Sequence, residues 1–159
     1  MLVSNLQAPS SKSITLLSLS SLEDLPERLK LASPHFACLL ACDAQELEDT
    51  QINELADFLL QQGLAYLGVW GPECERVRDL FAVKVSELEI AEGVEFPLLT
   101  HCHKEKELEE VLGSFVQSAK PDDAYVKTCQ SLLIVCVNKP EWETTFKQTL
   151  AAKGLQTKP

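Results

Sequence analysis

Four apolar runs, each followed by an amphipathic segment, constrain this chain more than any other feature. The runs occupy residues 36–42, 65–70, 96–102 and 132–137. Each is nearly continuous in apolar side chains, as in a strand covered on both faces. After the first run, Ile52, Leu55, Ala56, Leu59 and Leu60 recur at i, i+3, i+4, i+7 and i+8, which is one face of a helix. Leu108, Val111, Leu112, Phe115, Val116 and Ala119 repeat the pattern after the third run, and Trp142, Phe146 and Leu150 do so after the fourth. Strands alternating with helices imply crossovers and a mainly parallel sheet with helices on both faces. The expected fold is therefore a single three-layer α/β domain with about four or five strands, flavodoxin- or Rossmann-like.

A length of 159 residues fits one domain. A chain of this size buries roughly 70% of its unfolded surface, so its core needs no disulfide or metal. We expect a mobile polar segment over 1–13, the domain over 14–154 and a polar tail over 155–159. A short strand over 14–19 is followed by Ser21 and an acid three residues on, close to a capping box. Gly71-Pro72 breaks the second run and opens a short helix over 73–81. Residues 82–95 read two ways: Val83 and Val85 alternate with Lys84 and Ser86, which suits an edge strand or an extended loop.

Fourteen basic against 24 acidic residues give a net charge of −10. That balance argues against nucleic acid or an anionic membrane as a partner. No run approaches the ~18 apolar residues of a membrane span, and the N-terminus lacks a signal-peptide core. The expected setting is soluble and cytoplasmic. None of the six cysteines forms a C-x-x-C pair. Cys38 and Cys42 on one strand would lie about 13 Å apart, beyond disulfide reach. The expectation is reduced, mostly buried thiols.

Ligands of open α/β sheets sit beyond the carboxyl ends of the strands. That rule selects Asp43, Trp70, Glu73, Cys74, Glu75, His103 and Glu105 as a candidate binding face. Cys74 falls in a first helical turn, where amides favour a thiolate. Glu73 and Glu75 flank it and oppose the charge, so Cys74 reads as a small packing residue. Trp70 is expected to be buried and to close the core. His101 and His103 share one face of an extended strand about 6.6 Å apart. Both could reach one ion, but the spacing supplies no further ligands. No catalytic residue, metal or cofactor is assigned. Phosphate-binding glycine loops and nucleophile elbows are absent. Residues 43–54 hold Asp43, Glu46, Glu48, Asp49 and Glu54 without a base, a composition suited to docking a basic protein.

The chain resembles a family of small uncharacterised bacterial α/β proteins. The resemblance rests on Gly63, Tyr66 and the run Trp70-Gly71-Pro72-Glu73-Cys74-Glu75. It rests also on Thr100, His103, Glu105, Leu108, Glu109 and Glu110. It covers roughly residues 35–150. In that family a Trp and an acid flank the histidine; here Cys102 and Lys104 hold those places. The resemblance implies the fold and the strand-end face, with no established activity. The expected function is a non-catalytic protein-binding module, of accessory or immunity type, that masks a basic partner. The alternative is a small-molecule or metal-binding domain, with an enzyme included, centred on Trp70, Cys74 and His103. The oligomeric state is left open.

Overall fold

The computed structural model describes residues 2–7, 13–31, 33–103, 106–118 and 121–152. Among the described residues there are six strands and four α-helices, which alternate from the third strand onward. They are β1 (Leu2–Gln7), β2 (Ser13–Leu19), β3 (His35–Ala41), α1 (Asp49–Gln62), β4 (Leu64–Trp70), α2 (Cys74–Glu92), β5 (Leu99–His103), α3 (Leu108–Ser118), β6 (Cys129–Val137) and α4 (Pro140–Ala152). The sheet order is β1-β2-β6-β3-β4-β5. Strands β2, β6, β3, β4 and β5 are mutually parallel. Strand β1 adds an antiparallel edge against β2. It lies within the polar segment expected to be mobile, and it raises the sheet above the four or five strands expected.

The continuous apolar runs are explained by burial on two faces. In β3, Phe36, Cys38 and Leu40, with Cys42 just beyond its end, enter one core, while Ala37, Leu39 and Ala41 enter the other. The first core is closed by Ile52, Leu55 and Leu59 of α1 with Val77, Phe81 and Val85 of α2. The second is closed by Leu108, Val111, Leu112 and Phe115 of α3 with Phe146 and Leu150 of α4. This is the three-layer α/β domain expected from the runs and stripes.

Residues 82–92 are neither an edge strand nor a loop, because α2 continues through them to Glu92. Val77, Phe81 and Val85 are buried, and Leu88 packs on the same core; the spacing is helical. The alternation misleads because Val83 faces outward and Ile90 is 85% exposed. Lys84 instead pairs with Asp57 of α1 at 3.4 Å. Strand β5 begins only at Leu99, so the third apolar run starts outside the sheet.

Helices α1 and α2 follow β3 and β4 to one face, whereas α3 and α4 follow β5 and β6 to the other. Adjacent strands β4 and β5 therefore send their chains to opposite sides. A crevice opens beyond their carboxyl ends, the position where open α/β sheets bind ligands.

Candidate functional site

The crevice is shaped first by the turn that leaves β4. Gly71 has φ +128°, and a Cβ there would collide with the carbonyl oxygen of Cys42. Only glycine fits so close an approach in that conformation. The turn is zipped to the end of β3 by two backbone bonds. Cys42 N–H donates to Trp70 O at 3.1 Å, and Ala44 N–H donates to Pro72 O at 3.2 Å. Glu73 then adopts a left-handed conformation, φ 58°, and α2 begins at Cys74. Arg76, one turn into α2, fastens this start to the neighbouring loop. Its Nη1 donates to Ala44 O at 2.6 Å, its Nη2 to Leu47 O at 2.9 Å and its Nε to Asp49 Oδ1 at 2.8 Å. Its Nη1 also lies 3.7 Å from Glu73 Oε2.

The opposite wall comes from β5, whose Cys102 lies beside Val69 and whose His103 lies beside Trp70. Cys74 and Cys102 form a disulfide across the crevice, with Cα atoms 5.9 Å apart. This corrects the expectation of six reduced thiols. Nothing in linear spacing reveals the pair, because β4–β5 pairing and the first turn of α2 bring together residues 28 apart. Cys38, Cys42, Cys129 and Cys136 are buried and not in a disulfide. Burial raises the Cys42 thiol to about 12 and the Cys136 thiol to about 11.

Trp70 packs against the second core, as expected of a strand-end aromatic, but it is only half-buried and also faces the crevice. Its Nε1–H donates to Lys106 O at 2.9 Å. Its ring meets Trp142 of α4 edge to face, centroids 4.9 Å apart at 81°, a favoured aromatic geometry. Lys139 Nζ lies 5.8 Å from the Trp142 ring centroid.

His103 packs its ring over Gly68. A Cβ at that position would lie 3.3 Å from His103 Nε2, so the glycine provides the space for the imidazole. The His101 ring is 4.5 Å away, centroid to centroid. Burial lowers the His103 pKa to about 4, and the charges of His101 and Lys106 contribute to that lowering. Among the described residues, His103 Nδ1 is buried without a hydrogen-bond partner. A neutral imidazole offers one donor and one acceptor. A base this weak is poorly matched to proton abstraction at neutral pH, but it can hold a ligand.

These groups surround one open cleft of about 900 Å³. Of the candidate residues, Trp70, Glu73, Cys74, Glu75 and His103 line it. Asp43 does not; its Oδ1 accepts from Gln45 N–H at 3.0 Å and caps the following turn. Glu105 lies outside the described residues. Arg76, Asp79, Lys106 and Trp142 also line the cleft, and the strand-end rule selects none of them. The helical stripe marks Trp142 as a core residue; its partner Trp70 lies 72 positions away and is met only through the sheet order. Among the described residues, no group of three or more His, Cys, Asp or Glu is arranged to hold a metal. Cys74, which could otherwise serve as a ligand beside His103, is committed to the disulfide.

A family model described as a domain of unknown function (DUF7684) matches residues 14–153. This accords with the resemblance to an uncharacterised family over roughly residues 35–150. No curated protein and no solved structure matches the chain.

Proposed function

We propose that this chain, which belongs to the DUF7684 family of domains of unknown function, is a binding domain for a small molecule held in the cleft beyond β4 and β5. The reading rests on one observation: five residues selected from the sequence, four of them in the segment 70–75 and the fifth His103 on the neighbouring strand, line the same cleft. The Trp70–Trp142 pair offers an aromatic wall, and His103, a neutral imidazole, lines the same cleft. A ligand that fits has a flat apolar part for the tryptophans and a hydrogen-bonding group for the imidazole. Ligand pockets combine these elements, apolar lining with few placed polar groups.

A docking surface for a basic protein draws its support from the net charge of −10. The acids over 43–54 are largely engaged within the fold. Asp43 caps a turn, Asp49 holds Arg76 and Glu46 pairs with Lys139 at 3.2 Å. Glu48 forms a reciprocal cap with Gln51 at the start of α1. The cleft therefore carries the proposal, and binding rather than catalysis is the role it supports.

The test is tryptophan fluorescence titration of the full chain with indole, purine and pyridine compounds that carry one hydrogen-bonding group. We expect saturable binding that weakens about tenfold in Trp70→Ala and in Trp142→Ala, the scale of one lost aromatic contact. His103→Gln should weaken it as well. No saturable binding across the panel, or binding indifferent to all three substitutions, would overturn the reading.

A further inference from the structure

We propose that the Cys74–Cys102 bridge is a reversible thiol–disulfide couple, reduced by a thiol that reaches it from solvent at the half-buried Cys102. The proposal does not depend on what the cleft of the preceding section holds, so it stands whether or not a small molecule binds there.

Location separates these two cysteines from the other four. Cys74 lines the cleft and Cys102 is only half-buried, so a thiol can meet the bridge without unfolding the domain. Cys38, Cys42, Cys129 and Cys136 are buried, out of reach of a thiol in solvent. Burial also raises the pKa of the Cys38, Cys42 and Cys136 thiols, which opposes the thiolate that exchange needs.

The fold also holds both partners without the bridge. Cys102 is kept in place by the β4–β5 ladder, paired with Val69. Cys74 is kept in place by α2, whose first turn Arg76 ties to Ala44 O and Leu47 O. Strand β5 is an edge strand with a single neighbour. Opening the bridge therefore releases a local constraint and leaves both cores intact, and the two sulfurs remain opposed for re-formation.

The chemistry follows from exposure. Cys74 is only 5% exposed, so the incoming thiolate attacks the more open Cys102 Sγ. A bond forms between the thiol sulfur and Cys102, and the Cys74–Cys102 bond breaks. Cys74 departs as a thiolate at the N-terminus of α2, the positive end of the helix dipole, and then takes up a proton. Arg76 beside Glu73 offsets one of the flanking acids. A second thiolate attacks the external sulfur of the mixed disulfide and frees Cys102. Two electrons pass to the bridge, two thiols are oxidised to one disulfide, and the protein gains two S–H groups. The reductant is a low-molecular-weight thiol or a protein dithiol.

The experiment equilibrates the full native chain with graded mixtures of reduced and oxidised glutathione. Brief alkylation of the native protein with N-ethylmaleimide at neutral pH, followed by acid quenching and peptide mass mapping, then counts the accessible thiols. We expect two labels, on Cys74 and Cys102, with the far-UV circular dichroism unchanged and the bridge restored by oxidised glutathione. A Cys74→Ser variant should carry a glutathione adduct on Cys102 in the oxidised mixtures and lose it in the reduced ones, with no internal bridge formed. The Cys74→Ser/Cys102→Ser double variant should keep the wild-type spectrum. A bridge that opens only in denaturant, labelling that reaches all six cysteines together, or a double variant that fails to fold would each mark a purely structural disulfide and overturn the proposal. Because the readout is a label count, it neither requires nor tests binding of an aromatic ligand.

Discussion

His103 stays neutral at pH values where an exposed histidine takes up a proton. Burial is the main cause, and the neighbouring charges of His101 and Lys106 add to it. The sign of the consequence is definite. In the unfolded chain the imidazole binds a proton as pH falls through its ordinary 6.5, whereas in the folded chain it resists until about 4. The unfolded state therefore binds more protons between these values, and stability falls as pH is lowered through that window. The contribution is fully present above 6.5 and lost once pH passes below the folded value. His103→Gln removes this group, so the decline in melting temperature should be shallower in the variant than in the wild type across the window. Identical slopes in thermal scans would show that His103 is not the group responsible. His103 could be selected from the strand-end rule alone, but its neutrality could not. That depends on Gly68, 35 positions earlier, leaving room for the ring, and on the registry that lays β5 along β4.

Helix α2 positions the site, and Arg76 is its anchor. Three donors on one guanidinium hold two loop carbonyls and one carboxylate, a fork that a lysine cannot reproduce. Arg76→Ala should lower unfolding free energy by about 2 kcal/mol, the scale of hydrogen bonds to a charged group discounted for partial exposure. Arg76→Lys should recover only part of that loss. Urea denaturation of the three proteins measures it, and an alanine variant within ~0.5 kcal/mol of wild type would refute the anchoring role. The first half of α2 was legible from Gly71-Pro72, which breaks the second run and opens a helix over 73–81. The second half was not, because its apolar residues lie on two faces: Val85 in the core, Val83 and Ile90 toward solvent. A surface apolar residue costs a helix little, yet it erases the period by which the helix is recognised. The strand β1 was missed for a different reason. An edge strand paired on one side needs no continuous apolar run, so a polar segment can form one.

Across the whole molecule, 24 acids against 14 bases leave a net charge of −10, and the ion pairs join exposed or half-exposed groups. Such pairs contribute little individually, so self-repulsion among the excess acids outweighs them. Raising the salt concentration from about 10 to 300 mM shortens the Debye length from ~30 Å to under 8 Å. The melting temperature should rise by a few degrees over that range; a fall would mean that attractive pairs dominate. By itself, the sequence determined the class of fold, because burial on both sides demands continuous apolar strands and burial on one side demands a helical stripe. It also pointed to the end of the sheet at which the cleft opens, since parallel strands place all their carboxyl ends together. Only the tertiary structure decided which of those ends meet. The order β6-β3-β4-β5 puts Trp70 against Trp142 and Cys74 against Cys102. Contacts between such distant positions leave no period in a single chain, because each partner satisfies its local pattern whether or not the other is near.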